Sequence, residues 1–356
     1  MSLSQQLNRW IAESESWQAF IDFKLRQEDQ ADYPFLKRWE DFYLSLMSSG
    51  FDSIGTVSRE TKNRDFLSLA KGLVIYSLDE KSGYFSGVDV KDNILYASGF
   101  YYLAEFPASA FLLSKRFSVD SYETEIDQFI SSFLRREFIN ENRYSIILQE
   151  YLNSGNLKSL DGLLTIIEDE KAAALEHGHE TYSSLKLAHS LITHFKSNNI
   201  WSDLLSQNPN KEIWSSYIQR NIRKSVPIWS FFPSQQKAIQ AGALSQESFS
   251  FQMPTSAGKT ALSELLIYYT QSTLADTKIL YLAPFRSLAS ELKITMGRDL
   301  GSLGISVKSI YGGHLPSKEE QDAIQSVDLL IATPEKLMAV EDVLPDLFDS
   351  FSIIIC

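Results

Sequence analysis

The stretch Phe251–Tyr269, FQMPTSAGKTALSELLIYY, decides the fold of the second part of this chain. It runs from apolar residues through a loop of small residues into Gly258-Lys259-Thr260, where an apolar helical pattern begins. In the order strand, loop and helix, the backbone N–H groups of the loop and of the helix N-terminus converge on an anion. The pattern predicts a phosphate-binding loop, with Lys259 at the β and γ phosphates of a nucleotide and the Thr260 hydroxyl as a Mg²⁺ ligand.

This loop departs from the common phosphate-loop pattern at its first position, where Met253 replaces the usual glycine. The alternative interpretation is an ordinary turn between a strand and a helix that carries Gly-Lys-Thr by chance. The residues before and after the loop have to decide between the two interpretations.

From residue 226 onward, short apolar or β-branched runs alternate with helical patterns, which predicts a parallel sheet with helical crossovers. The predicted strands are SFSFQM, KILYLA, SVKSIYG, DLLIAT and FSIIIC. Residues 226–356 are therefore predicted to form an α/β domain whose sheet is incomplete.

Residues 1–225 have a different pattern, with apolar residues three and four positions apart, as expected for amphipathic helices. We predict an all-helical accessory or interaction domain here, and a helical-repeat arrangement stays open as an alternative. The aromatic residues between Trp10 and Tyr43 are at helical spacing, which core packing explains more simply than base stacking. Pro107 lies inside an apolar helical pattern and predicts a kink or a division into two helices.

The composition limits what the surface can bind. The chain has 33 Lys and Arg against 45 Asp and Glu, a net charge of -12, so contact with nucleic acid has to be confined to a local groove. Cys356 is the only cysteine, which excludes a disulfide framework and favours a reducing cytoplasm. We find no apolar run long enough for a membrane span and expect a soluble protein without membrane contact.

With these features in place, Pro254–Thr260 resembles motif I of superfamily 2 helicases, above all the Ski2-like, DExH-type group, in which the leading glycine is commonly replaced. Upstream, Gln235 in PSQQKAI resembles the Q motif, which reads adenine through its amide, and Phe232 or Phe231 is a candidate for stacking on the base or ribose. The resemblance assigns to ATP the loop residues Thr255, Ser256, Ala257, Gly258, Lys259 and Thr260.

Three elements downstream resemble the nucleic-acid contacts of the same family. Ala283–Ala289, APFRSLA, resembles motif Ia, Tyr311-Gly312-Gly313 resembles its double-glycine element, and Ala332–Leu337, ATPEKL, resembles motif Ib. Each alone has a plain explanation as a turn or a helix cap, but together with the Q motif and motif I they follow the family's order. The strand contacts that this implies are Pro284, Arg286, Gly312, Gly313, Thr333, Pro334 and Lys336.

The resemblance implies a RecA-like ATP-binding domain that uses ATP and Mg²⁺ and moves along nucleic acid. DNA is favoured over RNA as the partner, although backbone contacts do not distinguish the two. In the family, the strand that resembles Ser352–Cys356 leads into motif II, an Asp-Glu-x-His or Asp-Glu-x-Asp run whose acidic pair holds Mg²⁺. Residues 1–356 stop before that run, so the catalytic set is incomplete and we expect no useful ATP hydrolysis by these residues alone.

The segment 101–110, YYLAEFPASA, resembles the helicase subunit of Hachiman-type antiphage defence systems. This resemblance implies a helicase in bacterial defence whose helical domain docks a partner nuclease. The alternative is a protein-interaction module that carries an inert remnant of a motor.

Overall fold

The computed structural model describes residues 59–77, 90–177, 179–245, 248–253, 258–312 and 314–356. The predicted helices before residue 59, with the aromatic residues from Trp10 to Tyr43, lie outside these described residues. Within them the chain divides into two compact units, one up to Ser202 that also contains Ile222–Ser230, and one of Asp203–Asn221 with Phe231–Cys356. The predicted boundary after residue 225 stays a prediction.

The first unit is built from helices in the residues that the structure describes, which confirms the predicted fold class for this part. Its helices are α1 Arg59–Ser77, α2 Val90–Leu103, α3 Pro107–Ser114, α4 Glu125–Arg135, α5 Arg143–Ser154, α6 Leu157–His177 and α7 His179–Ser197. The next helix, α8 (Ile200–Gln207), starts in this unit, and the chain passes into the second unit within it.

Pro107 divides the apolar segment as predicted. Helix α2 ends at Leu103, and α3 begins with Pro107 in its first turn, after Glu105 has turned the backbone at a φ of 67°. A proline at that position needs no hydrogen-bonding N–H and has a φ that already suits a helix.

Asn199 links three helices and is completely buried. Its Nδ2 donates to the carbonyl of Phe195 at 2.8 Å, while its Oδ1 accepts from the N–H of Trp201 at 3.0 Å and from the Tyr151 hydroxyl at 2.7 Å. One side chain therefore binds the end of α7, caps the start of α8 and satisfies a buried hydroxyl on α5.

Replacing Asn199 by alanine is expected to lower the free energy of unfolding of the first unit by about 3 kcal/mol, because several buried polar groups lose their partner at once. Urea denaturation followed by tryptophan fluorescence measures the change. Asn156→Ala is the control, since Asn156 caps the N–H of Lys158 at an exposed helix start and should cost about 1 kcal/mol or less. Equal losses in the two variants would contradict the prediction.

The second unit contains a four-stranded, all-parallel sheet, which confirms the predicted partial RecA-like α/β architecture. Its elements are α9 Lys211–Ile222, α10 Pro233–Gln240, α11 Lys259–Thr273, β1 Ile279–Leu282, α12 Arg286–Gly301, β2 Val307–Ile310, α13 Lys318–Ser326, β3 Leu329–Ala332, α14 Pro334–Glu341 and β4 Ile353–Ile355. The strand order is β2-β3-β1-β4, with Leu280 level with Leu330 and with Ile354. All four residues of β3 are buried, as expected for a parallel strand with both faces covered.

The segment SFSFQM differs from its prediction. Residues 248–253 form no strand in the structure, and Phe251 is exposed. A strand forms only where its backbone N–H and C=O groups hydrogen-bond to a neighbouring strand. An apolar run in the sequence does not ensure that such a strand lies beside it.

Helix α9 packs on α11 through two aromatic pairs. Trp214 stacks on Tyr269 with ring centroids 5.0 Å apart, and Tyr217 stacks on Tyr268 at 5.1 Å. The Tyr268 hydroxyl also donates to the carbonyl of Ile213 at 2.5 Å. These contacts explain why Asp203–Asn221 belongs to the same compact unit as the sheet.

No helix in the described part of the chain combines the length and the apolar character needed to cross a membrane.

Candidate functional site

Gly258 caps the N-terminus of the 15-residue helix α11 with a φ of 74°, a left-handed conformation that suits glycine. No side chain among the described residues accepts a hydrogen bond at this cap, and Lys259 and Thr260 are exposed on the first turn. The first N–H groups of a helix have no partner within it and attract an anion. Gly258, Lys259 and Thr260 therefore fit a phosphate with its Mg²⁺, while Thr255, Ser256 and Ala257 lie outside the described residues.

The Q-motif glutamine, Gln235, is only 4% exposed and joins α10 to this loop. Its Nε2 donates to the carbonyl of Gly258 at 2.9 Å, and its Oε1 accepts from the N–H of Phe232, also at 2.9 Å. The half-buried Phe232 ring lies on the same side, 3.8 Å from where a Cβ at position 258 would be. Each polar atom of the amide keeps one further hydrogen-bonding position, so adenine recognition by Gln235 stays a prediction.

Sequence reasoning missed a second contact to α10, made by Asp203 of α8. The Nε2 of Gln236 donates to the Asp203 carboxylate at 3.0 Å, and Asp203 is 7% exposed. Burial raises the pKa of Asp203 from near 3.8 to about 6, and the hydrogen bond from Gln236 only partly opposes this shift. The two residues are 33 positions apart, and no local pattern marks such a pair.

The stability of the second unit is expected to depend on the protonation of Asp203. Because its pKa is higher in the folded state, the folded form binds the proton more tightly, and stability falls as the pH rises from about 4 through 6, by about 1.4 kcal/mol for each unit of pKa difference. Asp203→Asn keeps an acceptor for Gln236 but does not titrate. Urea denaturation between pH 4 and 7 should show that the free energy of unfolding of the variant rises relative to that of the wild type as the pH rises. A difference in free energy that stays constant with pH would contradict the assignment.

The strand order brings the three predicted strand-contacting loops next to one another. Motif Ia follows β1, the double-glycine element follows β2 and motif Ib follows β3, and these strands are neighbours in the order β2-β3-β1. All are parallel, so the loops leave from the same, carboxyl edge of the sheet, which is where ligands bind in open parallel sheets.

Arg286 and Gly312 come close together at this edge. Arg286 begins α12 and is exposed, as is Pro284 before it. Gly312 has a φ of 104°, and a Cβ placed on it would lie 3.8 Å from an Arg286 guanidinium nitrogen. Phe285 and Tyr311, which the sequence analysis did not single out, are 68% and 46% exposed beside them. Gly313 lies outside the described residues.

The residues of motif Ib lie at the start of α14. Thr333 is the N-cap residue of α14 but is buried and makes no side-chain cap bond, while Pro334 is exposed in the first turn. Lys336, predicted to grip a phosphate, is 4% exposed, and its ammonium donates to the carbonyl of His314 at 2.9 Å and to Glu320 at 3.1 Å. A phosphate contact needs an accessible ammonium, and the observed one is engaged inside the unit.

Comparison with known proteins gives this arrangement a family. Residues 232–356 match the family model of the DEAD/DEAH box helicases. These residues are thus similar to a DEAD/DEAH helicase domain. The match begins at Phe232 beside the Q-motif glutamine and includes the phosphate loop and all three sheet-edge loops, so the resemblance to superfamily 2 helicases is confirmed.

One of the curated relatives matches more of this chain than the helicase domain does. Hachiman protein HamB of Bacillus cereus is 25% identical over an alignment of 285 positions that covers 72% of this chain and 25% of that protein. The U5 small nuclear ribonucleoprotein 200 kDa helicase of Homo sapiens is 34% identical over 111 residues, 29% of this chain and 5% of that protein. ATP-dependent DNA helicase Hel308 of Pyrococcus horikoshii is 32% identical over 117 residues, 33% of this chain and 16% of that protein. This chain thus spans a quarter or less of the length of these relatives.

Proposed function

We propose that the protein carrying this chain is an ATP-dependent helicase or translocase that acts on nucleic acid in bacterial antiphage defence. The observation that carries the proposal is that the helix N-terminus at Lys259, which has no side-chain cap bond among the described residues, lies in one unit with three neighbouring loops at the carboxyl edge of its sheet. The similarity to a Hachiman protein supports the role in defence.

In this proposal the nucleotide binds at the start of α11. Lys259 holds the β and γ phosphates, Thr260 ligates Mg²⁺, and Phe232 and Gln235 lie on the side of the base. The metal supplies charge neutralisation for phosphoryl transfer, and the N–H groups of the first turn orient the phosphate chain.

The strand binds along the loops after β1, β2 and β3, with Arg286 as the accessible cation and the backbone at Gly312 close to it. Pro284, Thr333 and Pro334 complete the edge at the starts of α12 and α14. We favour DNA because one relative, Hel308 of Pyrococcus horikoshii, is named as a DNA helicase. Contacts to the backbone alone would accept either nucleic acid.

The acidic pair that completes catalysis in this family is not found among residues 1–356, since no Asp-Glu-x-His or Asp-Glu-x-Asp run occurs there. We propose that these residues alone bind nucleotide but do not turn it over. ATPase activity of the isolated chain that Lys259→Ala abolishes would contradict this.

The proposed function is tested in the full-length protein with two variants and a matched control. Lys259→Ala is expected to abolish ATPase activity while leaving strand binding nearly intact. Arg286→Ala is expected to weaken binding of a single-stranded oligonucleotide and to reduce the salt slope of log K by about 0.7, the loss of one phosphate contact. Lys293→Ala removes an exposed cation from the same helix and should change neither the ATPase activity nor the oligonucleotide binding. If Arg286→Ala and Lys293→Ala bind alike, strand binding at this edge is refuted.

A second candidate function concerns the helical unit, because the similarity to the Hachiman protein covers 72% of the chain, far more than the helicase domain occupies. In this alternative the helical residues dock a partner nuclease and the motor is an inert remnant. Co-purification of the nuclease with Lys259→Ala, together with absence of ATPase activity from the wild-type full-length protein, would favour it over the translocase.

A further inference from the structure

The ammonium of Lys336 joins three segments of the sheet-containing unit. Lys336 itself lies in the first turn of α14, Glu320 lies in the first turn of α13, and His314 lies between β2 and α13. The ammonium donates to the Glu320 carboxylate at 3.1 Å and to the His314 carbonyl at 2.9 Å. The Lys336 side chain is 5% exposed and that of Glu320 is 28% exposed.

Stability alone does not account for a lysine at this position. Burying an ammonium is costly unless it is paired, and an apolar pair of similar volume is often as stable as a buried ion pair. An ammonium has several hydrogen-bond donors, so it can bind a carboxylate and a backbone carbonyl at the same time and hold both in place, which an apolar side chain cannot do. Here the carbonyl belongs to His314, two residues after Gly312.

The position of that carbonyl links the ion pair to the strand edge. Gly312 has a left-handed φ of 104° and lies against the guanidinium of Arg286. Backbone that is fixed at His314 therefore limits where Gly312 can move relative to Arg286. A phosphate, in contrast, would have to approach an ammonium that already faces the negative charge of Glu320.

We infer that Lys336 and Glu320 are positioning residues, which hold the backbone after β2 in the conformation that binds a nucleic-acid strand together with Arg286. Neither side chain contacts the strand. This inference rests on the proposed function, because it assumes that the strand binds at the edge formed by Arg286 and Gly312.

The test measures binding of a fluorescent single-stranded oligonucleotide to the full-length protein by anisotropy over a series of salt concentrations. Lys336→Met and Glu320→Gln are each expected to weaken binding by about 5- to 30-fold. The affinity of the double variant should be no lower than that of the single variant that binds less tightly, because both changes break the same ion pair. The salt slope should stay at the wild-type value in all three, because no phosphate contact is lost.

Coupling to Arg286 separates positioning from a general structural role. The loss caused by Lys336→Met should shrink when Arg286 is already alanine, whereas a merely structural defect would add to it. All binding is measured at a temperature at which circular dichroism shows each variant to be folded. If Lys336→Met does not fold, Glu320→Gln, which keeps the size and shape of the side chain, gives the same test.

Three results would overturn the inference. One is unchanged or tighter binding by Glu320→Gln together with a salt slope reduced by about 0.7 in Lys336→Met, which is the pattern of a direct phosphate contact. Another is wild-type affinity of both single variants while Arg286→Ala binds weakly, which refutes the positioning role and leaves the proposed function intact. If Arg286→Ala itself binds like the wild type, the proposed strand site fails, and the inference fails with it.

Discussion

Replacing Arg220 by alanine is expected to lower the free energy of unfolding of the sheet-containing unit by about 3–5 kcal/mol. Arg220 on α9 pairs with Asp299 near the end of α12, and the two side chains are 14% and 10% exposed. Removing the cation takes away one of the charges that face a buried carboxylate, and the desolvation cost of that carboxylate remains. Urea denaturation of the 356-residue chain measures the loss.

Arg298 provides the matched control for this prediction. It also binds Asp299, at 2.9 Å, but its side chain is 75% exposed, so Arg298→Ala should cost about 1 kcal/mol or less. The double variant Arg220→Met with Asp299→Leu should recover most of the stability, because it removes both buried charges together. A similar loss in Arg220→Ala and Arg298→Ala would show that burial does not set the strength of this pair.

Replacing Gly258 by alanine is expected to weaken nucleotide binding by about 5- to 30-fold. A left-handed conformation costs an alanine about 1–2 kcal/mol, and each 1.4 kcal/mol is a factor of ten in affinity. The added Cβ would also lie 2.6 Å from the Nε2 of Gln235, so the glutamine that joins α10 to the loop has to move. Titration with a fluorescent ATP analogue measures the change.

Gly297→Ala is the control, since a Cβ at this position in α12 meets nothing within 4 Å. It should leave nucleotide binding unchanged and raise stability by about 0.5–1 kcal/mol, as expected for glycine replaced inside a helix. Wild-type affinity of Gly258→Ala would show that the nucleotide does not use this loop.

Local patterns in the sequence were enough to predict much of the fold and the order of the motifs along the chain. The helical spacing in the described residues between 59 and 225, the break at Pro107 and the strands that precede Pro284 and Thr333 are all set within a few residues, and the structure confirms them. The Gly-Lys-Thr run was also interpretable, because a loop that ends at a helix N-terminus has its N–H groups aligned by local geometry.

Contacts between distant residues were not predictable in this way. Lys336 looks like a free cation after a proline, and only the fold brings Glu320, 16 positions earlier, within reach of it. Gln235 looks free to read adenine, yet its Nε2 is bonded to a carbonyl 23 positions away. Whether a side chain is buried, and which residues it hydrogen-bonds to, depends on the tertiary fold and cannot be deduced from residue type and spacing.

The packing of α9 on α11 has a practical consequence for recombinant expression. A shortened protein that starts at residue 232, where the family match begins, would lack Trp214 and Tyr217, and the rings of Tyr268 and Tyr269 would face water. Such an apolar surface favours aggregation. A version that starts before Asp203 keeps both ring pairs and the Asp203 contact to α10, and we expect it to give the higher yield of monomer in size-exclusion chromatography.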